Sequence, residues 1–196
     1  TEVEYPLSDL YRFIAADLAD QHHTETLCPL DGFYMPFRPG PLPSITTDAP
    51  AARHGHVTFG SFNLGQKLND AVFDAWARIL ERVPGARLVL FAVPESAHTT
   101  VRRAFEARDV AADRVTLADR LPHDEFLRAH NEVDIALDPF ACVGTTTTLF
   151  SLAMGVPVVT LAGRTHASRV TGSILNVTGF DDWIAATPAD YVDIAL

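Results

Sequence analysis

Lysine is almost missing from this sequence. Of its 15 basic residues one, Lys67, is a lysine, and 25 acidic residues bring the formal net charge to −10. The sequence isoelectric point is near 5.1. Nucleic acid and anionic membrane both demand a broad positive face, so neither is an expected partner. A local basic pocket for one small anion stays open. Cysteine is scarce too: Cys28 and Cys142 allow one disulfide at most and no disulfide framework. The reading is reduced thiols and a cytoplasmic chain. No apolar run approaches membrane-spanning length. The first residues, TEVEYPLSDL, have neither a basic n-region nor an apolar h-region. Neither GxxxxGK[ST] nor GxGxxG occurs, which removes the P-loop and the dinucleotide fingerprint. Internal repeats and low-complexity tracts are also missing.

What is present suits a packed α/β domain: 196 residues, 47% hydrophobic and 20% charged. The chain divides near residue 56. Ahead of it, residues 7–20 read as a short amphipathic helix with Ser8 as a possible N-cap, and residues 29–55 as a proline-rich connector that wraps a surface or joins two lobes. From residue 56 the pattern alternates. Strands are expected over 56–62, 86–93, 114–119, 134–140, 156–162 and 181–185. Helices are expected over 69–83, 98–109, 123–133, 145–155, 167–179 and 188–196, with Gly179 closing one and Pro188 opening another. Alternation of this kind predicts a doubly wound parallel sheet, and LVLFAV and VPVVTL are apolar enough to be buried on both faces.

In such a sheet ligands bind outside the carboxyl ends of the strands. Residues 133–155, VDIALDPFACVGTTTTLFSLAMG, place a loop and a helix start there. A helix start presents unpaired N–H groups and partial positive charge, both suited to phosphate. Gly144 lets backbone approach a ligand, and Thr146 and Thr147 add hydroxyl donors. The alternative is that one threonine caps the helix and the others merely begin it. That suits one threonine better than four, because threonine is a poor helix former.

Motifs in a fixed order now become informative. FGSFN (59–63), Lys67, WARILERVPG (76–85), VDIALDPF (133–140), GTTTT (144–148), MGVPVVTLAG (154–163) and ASRV (167–170) resemble the C-terminal lobe of the O-GlcNAc transferase/SPINDLY-like glycosyltransferases. Upstream, EYPLSD (4–9) and TETLCPLDGFYMPFRP (24–39) are similar to the segment in which that family leaves its N-terminal lobe. The resemblance implies a GT-B architecture of two Rossmann-like lobes. Residues 1–55 would be the tail of the first lobe plus the connector. Residues 56–196 would be the nucleotide-sugar-binding lobe, cut short at its C-terminus. It implies a UDP-sugar donor, a serine or threonine acceptor on a protein or peptide, no cofactor and no metal. The missing N-terminal lobe would supply the base and much of the acceptor surface.

Residue by residue, Lys67 matches the lysine that neutralises the donor diphosphate and stabilises the leaving group. Gly144, Thr146 and Thr147 match the glycine and paired threonines at the helix start, and Thr145 stands where some relatives have histidine. Leu121, Pro122 and His123 fall where the family meets the nucleobase; His123 is equally read as a helix-start residue. Phe126 either stacks on the base or belongs to the core. Two departures stand out. Phe150 occupies the place of an acidic residue that binds ribose hydroxyls, and Leu64 that of a glutamine near the phosphates; a catalytically silent homologue would show the same changes. Arg169 faces an anion or makes a structural salt bridge, the second being favoured. Glu4 and the His22, His23, His54 and His56 side chains are read as solvated, without metal.

Overall fold

The computed structural model describes residues 7–8, 28–29, 32–33, 35–140 and 142–196. Strand β1 (Leu7–Ser8) pairs in parallel with β2 (Cys28–Pro29). The helix expected over 7–20 otherwise lies outside the described residues, and Leu7 and Ser8 are extended rather than a helix start. Within the connector, residues 50–54 do form a short helix, α1 (Pro50–His54).

From there strands and helices alternate. They are β3 (Thr58–Ser61), α2 (Asp70–Arg82), β4 (Arg87–Leu90), α3 (Glu95–Glu106), β5 (Val115–Leu117), α4 (His123–Ala129), β6 (Ile135–Leu137), α5 (Thr146–Ala153), β7 (Val158–Leu161), α6 (Val170–Thr178), β8 (Ile184–Ala185) and α7 (Pro188–Ile194). The six strands β3 to β8 make one sheet in the order β5-β4-β3-β6-β7-β8, each neighbouring pair parallel. This is the expected doubly wound Rossmann-like sheet. Its order reverses between β3 and β6, where the chain leaves toward opposite sides and opens a crevice.

Local chemistry explains several boundaries. Asn69 caps α2 by accepting a hydrogen bond from Val72 N at 3.2 Å. Gly179 ends α6 in the left-handed conformation, φ 82°. Thr187 and Asp190 form a capping box at α7, with Pro188 in the first turn. Helix α3 starts earlier than its apolar residues suggest, directly behind Pro94, whose fixed φ suits the N-cap.

Helices cover both faces. On one, α2 buries Val72, Trp76, Ile79 and Leu80, α7 packs beside it over β7 and β8 with Tyr191 and Val192, and α3 adds Val101 and Phe105. Full burial of one such side chain contributes about 1.5–3 kcal/mol. The other face is closed by Phe62, Phe91, Val133, Val156 and Val158, and by Val143, Val170 and Ile174. Gly60 makes room on β3 for the Val133 side chain, since a Cβ there would lie 2.7 Å from a Val133 methyl.

The connector is pinned to the amino end of the sheet. Asn131 accepts from Thr46 N and donates to Ser44 O, and Asp134 accepts from Ala51 N and Thr58 N. Closer to its start, Phe37 meets Phe150 of α5 edge-on at 5.1 Å. The segment therefore runs from the ligand end of the sheet to the opposite end.

Candidate functional site

The loops leaving β3 and β6 face each other at the switch point. After β3 the chain makes a 3-10 turn over Gly65–Lys67 that swings Lys67 toward the β6 side. Its ammonium donates to Asn63 Oδ1 and to Val143 O, both at 2.8 Å. An ammonium carries three donors, so one remains without an acceptor among the described residues. Asn69 also spans the gap, with Nδ2 donating to Phe140 O at 3.3 Å.

Across from Lys67 helix α5 begins. Thr145 sits at its N-cap, but its side chain makes no capping hydrogen bond. The start of α5 thus lacks a side-chain cap while lying beside the ammonium of the chain's single lysine. The four threonines divide their work. Thr145, Thr146 and Thr147 line a cavity of about 520 Å³, together with Lys67. Thr148 is buried and bonds Thr171 Oγ1 at 3.0 Å.

The far side of the cavity comes from the loops after β4 and β5 and from α4. Leu121, His123 and Phe126 line it, as do Arg120, Leu64 and Phe150. Phe150 contacts the rings of His123 at 5.4 Å and Phe126 at 5.8 Å, making an aromatic wall. Phe126 lines the cavity and packs with the core, where its ring meets Phe62 at 5.5 Å. Ala92, another lining residue, has φ 54°, a left-handed conformation uncommon for alanine, and its carbonyl accepts from Gly65 N at 3.1 Å.

Gly144 is not among the lining residues. Its N–H donates to Asp138 Oδ1 at 2.7 Å, and its carbonyl accepts from Thr171 Oγ1 at 2.9 Å. A Cβ there would fall 2.5 Å from Thr147 Oγ1 and 2.7 Å from Thr148 Oγ1. Close approach by the threonines, rather than by a ligand, explains the glycine. Arg169 makes no ion pair among the described residues, against the favoured salt-bridge reading. Its Nε is buried without a hydrogen-bond partner among the described residues, and burial lowers its pKa.

Two buried groups lie beneath the cavity. Burial pushes the Asp138 carboxyl up to about 6, against the opposing hydrogen bonds from Gly144 and Thr160 and the charge of Lys67. Burial takes His130 down to about 4. Its ring stacks on Phe62 at 3.7 Å, and Nδ1 donates to Phe126 O at 2.8 Å. Among the described residues no cluster of three His, Cys, Asp or Glu side chains could hold a metal ion, and no helix is long and apolar enough to cross a membrane.

Asn63 and Arg120 escaped assignment from sequence. Asn63 lies within FGSFN, four residues before Lys67, and a tight turn over that spacing brings the two side chains together. Arg120 gave no signal apart from its place beside Leu121.

Comparison with known proteins converges on one family. A family model for glycosyl transferase family 41 matches residues 48–196. The chain is 37% identical over 183 residues to a protein of Solanum lycopersicum called probable UDP-N-acetylglucosamine--peptide N-acetylglucosaminyltransferase SPINDLY, covering 91% of this chain and 20% of that one. It is 31% identical over 140 residues to the UDP-N-acetylglucosamine--peptide N-acetylglucosaminyltransferase of Caenorhabditis elegans, covering 71% and 12%. The chain thus spans about one fifth or less of the length of these relatives. Among solved structures, the K341M mutant of Thermobaculum terrenum O-GlcNAc transferase superposes with a TM-score of 0.89 at 36% identity, over 98% of this chain and 36% of that one. A sucrose-phosphate synthase from Thermosynechococcus elongatus, at 10% identity and a TM-score of 0.51, shares the fold alone. With three quarters of its length under the family model and its sheet superposing on a solved O-GlcNAc transferase, this chain belongs to glycosyl transferase family 41.

Proposed function

We propose that this chain is the nucleotide-sugar-binding lobe of a cytoplasmic glycosyltransferase that moves GlcNAc or a related sugar from a UDP-sugar to a serine or threonine of a protein or peptide, without metal. One observation carries the reading. The chain's single lysine brings its ammonium into the same cavity as the side-chain-uncapped start of α5. When the bond between sugar and diphosphate breaks, negative charge grows on the leaving phosphate. Fixed donors aimed at that position lower the barrier because they need no reorganisation. Lys67 supplies a full charge, and the amides and hydroxyls of Thr145, Thr146 and Thr147 supply dipoles. The diphosphate lies between them, and the base reaches toward His123, Leu121 and Phe126. The general base and much of the acceptor surface come from the N-terminal lobe, so the chain alone binds donor and transfers sugar slowly or not at all.

A second reading has an observation of its own. Phe150 and Leu64 line the cavity, and neither side chain accepts hydrogen bonds from ribose or donates them to phosphate. The second reading is a regulatory module that kept the fold and lost the chemistry.

Calorimetric titration of UDP and GDP into the chain and into a Thr146→Ala/Thr147→Ala variant tests the donor site. Saturable UDP binding weakened about 5- to 30-fold in the variant is expected from two lost hydroxyls. No UDP binding by the unsubstituted chain would overturn the reading.

A further inference from the structure

From the wall of the cavity, which Asn63 lines, a chain of polar contacts runs into the sheet. Asn63 is buried, and its two amide ends meet opposite partners. Nδ2 donates to Asp138 Oδ1 at 3.2 Å. Oδ1 accepts from Lys67 Nζ at 2.8 Å and, more weakly, from Thr147 Oγ1 at 3.4 Å. The orientation has no alternative. A carboxylate only accepts and an ammonium only donates, so the amide satisfies both in one sense only. Turned over, it would set oxygen against carboxylate and NH₂ against ammonium.

Asp138 is fixed in turn. Oδ1 also takes the Gly144 N–H at 2.7 Å, and Oδ2 takes the Thr160 hydroxyl at 2.9 Å. One buried carboxylate therefore holds both halves of the anion site: the cation, through Asn63, and the turn into α5, through Gly144.

We propose that Asn63 is a positioning residue for donor binding: Asp138 locks its amide so that the amide oxygen aims the Lys67 ammonium at the diphosphate. The inference rests on the donor-site reading above. It goes beyond that reading in making the worth of Lys67 depend on Asn63, with Asp138 acting only through it and through Gly144.

A double-mutant cycle on the 196-residue chain tests this. UDP affinity is measured by calorimetry for the unsubstituted chain, Asn63→Ala, Lys67→Met and the double variant, with UDP taken to millimolar concentration. Loss of the charge-bearing contact is expected to weaken binding about 10-fold for Asn63→Ala when Lys67 is present. In the Lys67→Met background the same change costs less than about 2-fold. Equal losses in both backgrounds, or no loss at all, would overturn the proposal and leave the donor site standing. No UDP binding by the unsubstituted chain would instead remove the donor site itself. Asn63→Ser provides a second variant: its hydroxyl ends about where the amide carbon stood, short of the Lys67 ammonium, and it is expected to give the same background-dependent pattern. Asp138→Ala removes the acceptor that Asn63 and Gly144 share and is expected to follow Asn63→Ala.

Discussion

Tyr191 in α7 donates its hydroxyl to the backbone carbonyl of Asp138 at 3.0 Å, and the same hydroxyl accepts from Trp76 Nε1 at 3.1 Å. A residue 53 positions further along the chain thus anchors the strand end from which the site loop departs. All three groups are buried. Tyr191→Phe would leave a buried donor and a buried acceptor without partners. The expected cost is on the order of 2 kcal/mol, which for a chain of this size lowers the melting temperature by about 4–8 °C. Thermal unfolding followed by circular dichroism checks this. An unchanged midpoint would show that the hydroxyl contributes nothing.

Gly144→Ala is expected to damage stability and site together. The added methyl would meet the hydroxyls of Thr147 and Thr148 at under 3 Å, so the turn into α5 must shift. Overpacking of this kind costs about 1–3 kcal/mol. Gly172→Ala is the control. Its nearest neighbour would be an Ile184 methyl at 3.7 Å, an ordinary contact, and alanine favours the helix by up to about 1 kcal/mol. Urea unfolding should rank Gly144→Ala below the unsubstituted chain and Gly172→Ala level with it or above.

The two shifted buried groups act on stability in opposite directions with pH. His130 falls from the ordinary 6.5 to about 4, so the unfolded chain binds its proton first. Its contribution is full above pH 6.5 and is lost as pH drops toward 4. Asp138 rises from 3.8 to about 6, so the folded chain binds its proton first. Its neutral form favours folding below pH 3.8, and that advantage is lost as pH rises through 6. Each effect is on the order of 3 kcal/mol, and between pH 6 and 4 they largely cancel. Asp138→Asn should expose the His130 loss, making the variant less stable relative to the unsubstituted chain as pH falls from 6 to 4. His130→Gln should show the reverse. Urea unfolding at pH 7, 5.5 and 4.5 measures both, and parallel curves for all three proteins would contradict the assignment.

Much of this fold is legible in short sequence signals because those signals act locally. Gly179 ends a helix and Pro188 opens one within a few residues, and they mark the end of α6 and the start of α7 where the structure has them. Alternating apolar strands and amphipathic helices announce the parallel sheet. What stays hidden depends on partners remote in sequence. Helix α1 has no buried residue and is held by Asp134, 83 positions from Ala51. Helix α3 begins at Glu95, while its buried residues begin at Val101, so periodicity points too late. At the site, Lys67 and the threonines declare themselves by scarcity and repetition. The bond between Asn63 and Asp138 crosses 75 positions and leaves no local trace. Gly144 looks like a ligand-facing glycine until the threonine hydroxyls are seen above it.

The central claim is that a nucleotide's diphosphate sits between the Lys67 ammonium and the start of α5. Backbone amide chemical shifts recorded by NMR during a UDP titration test it most directly. The account predicts saturable shifts at Thr145, Thr146 and Thr147 that require at least about 10-fold more UDP in Lys67→Ala, the usual cost of a charged hydrogen bond. Unmoved threonine amides, or shifts confined to the groove lined by Asp48, Asn131 and Asp134 at the other end of the sheet, would contradict it.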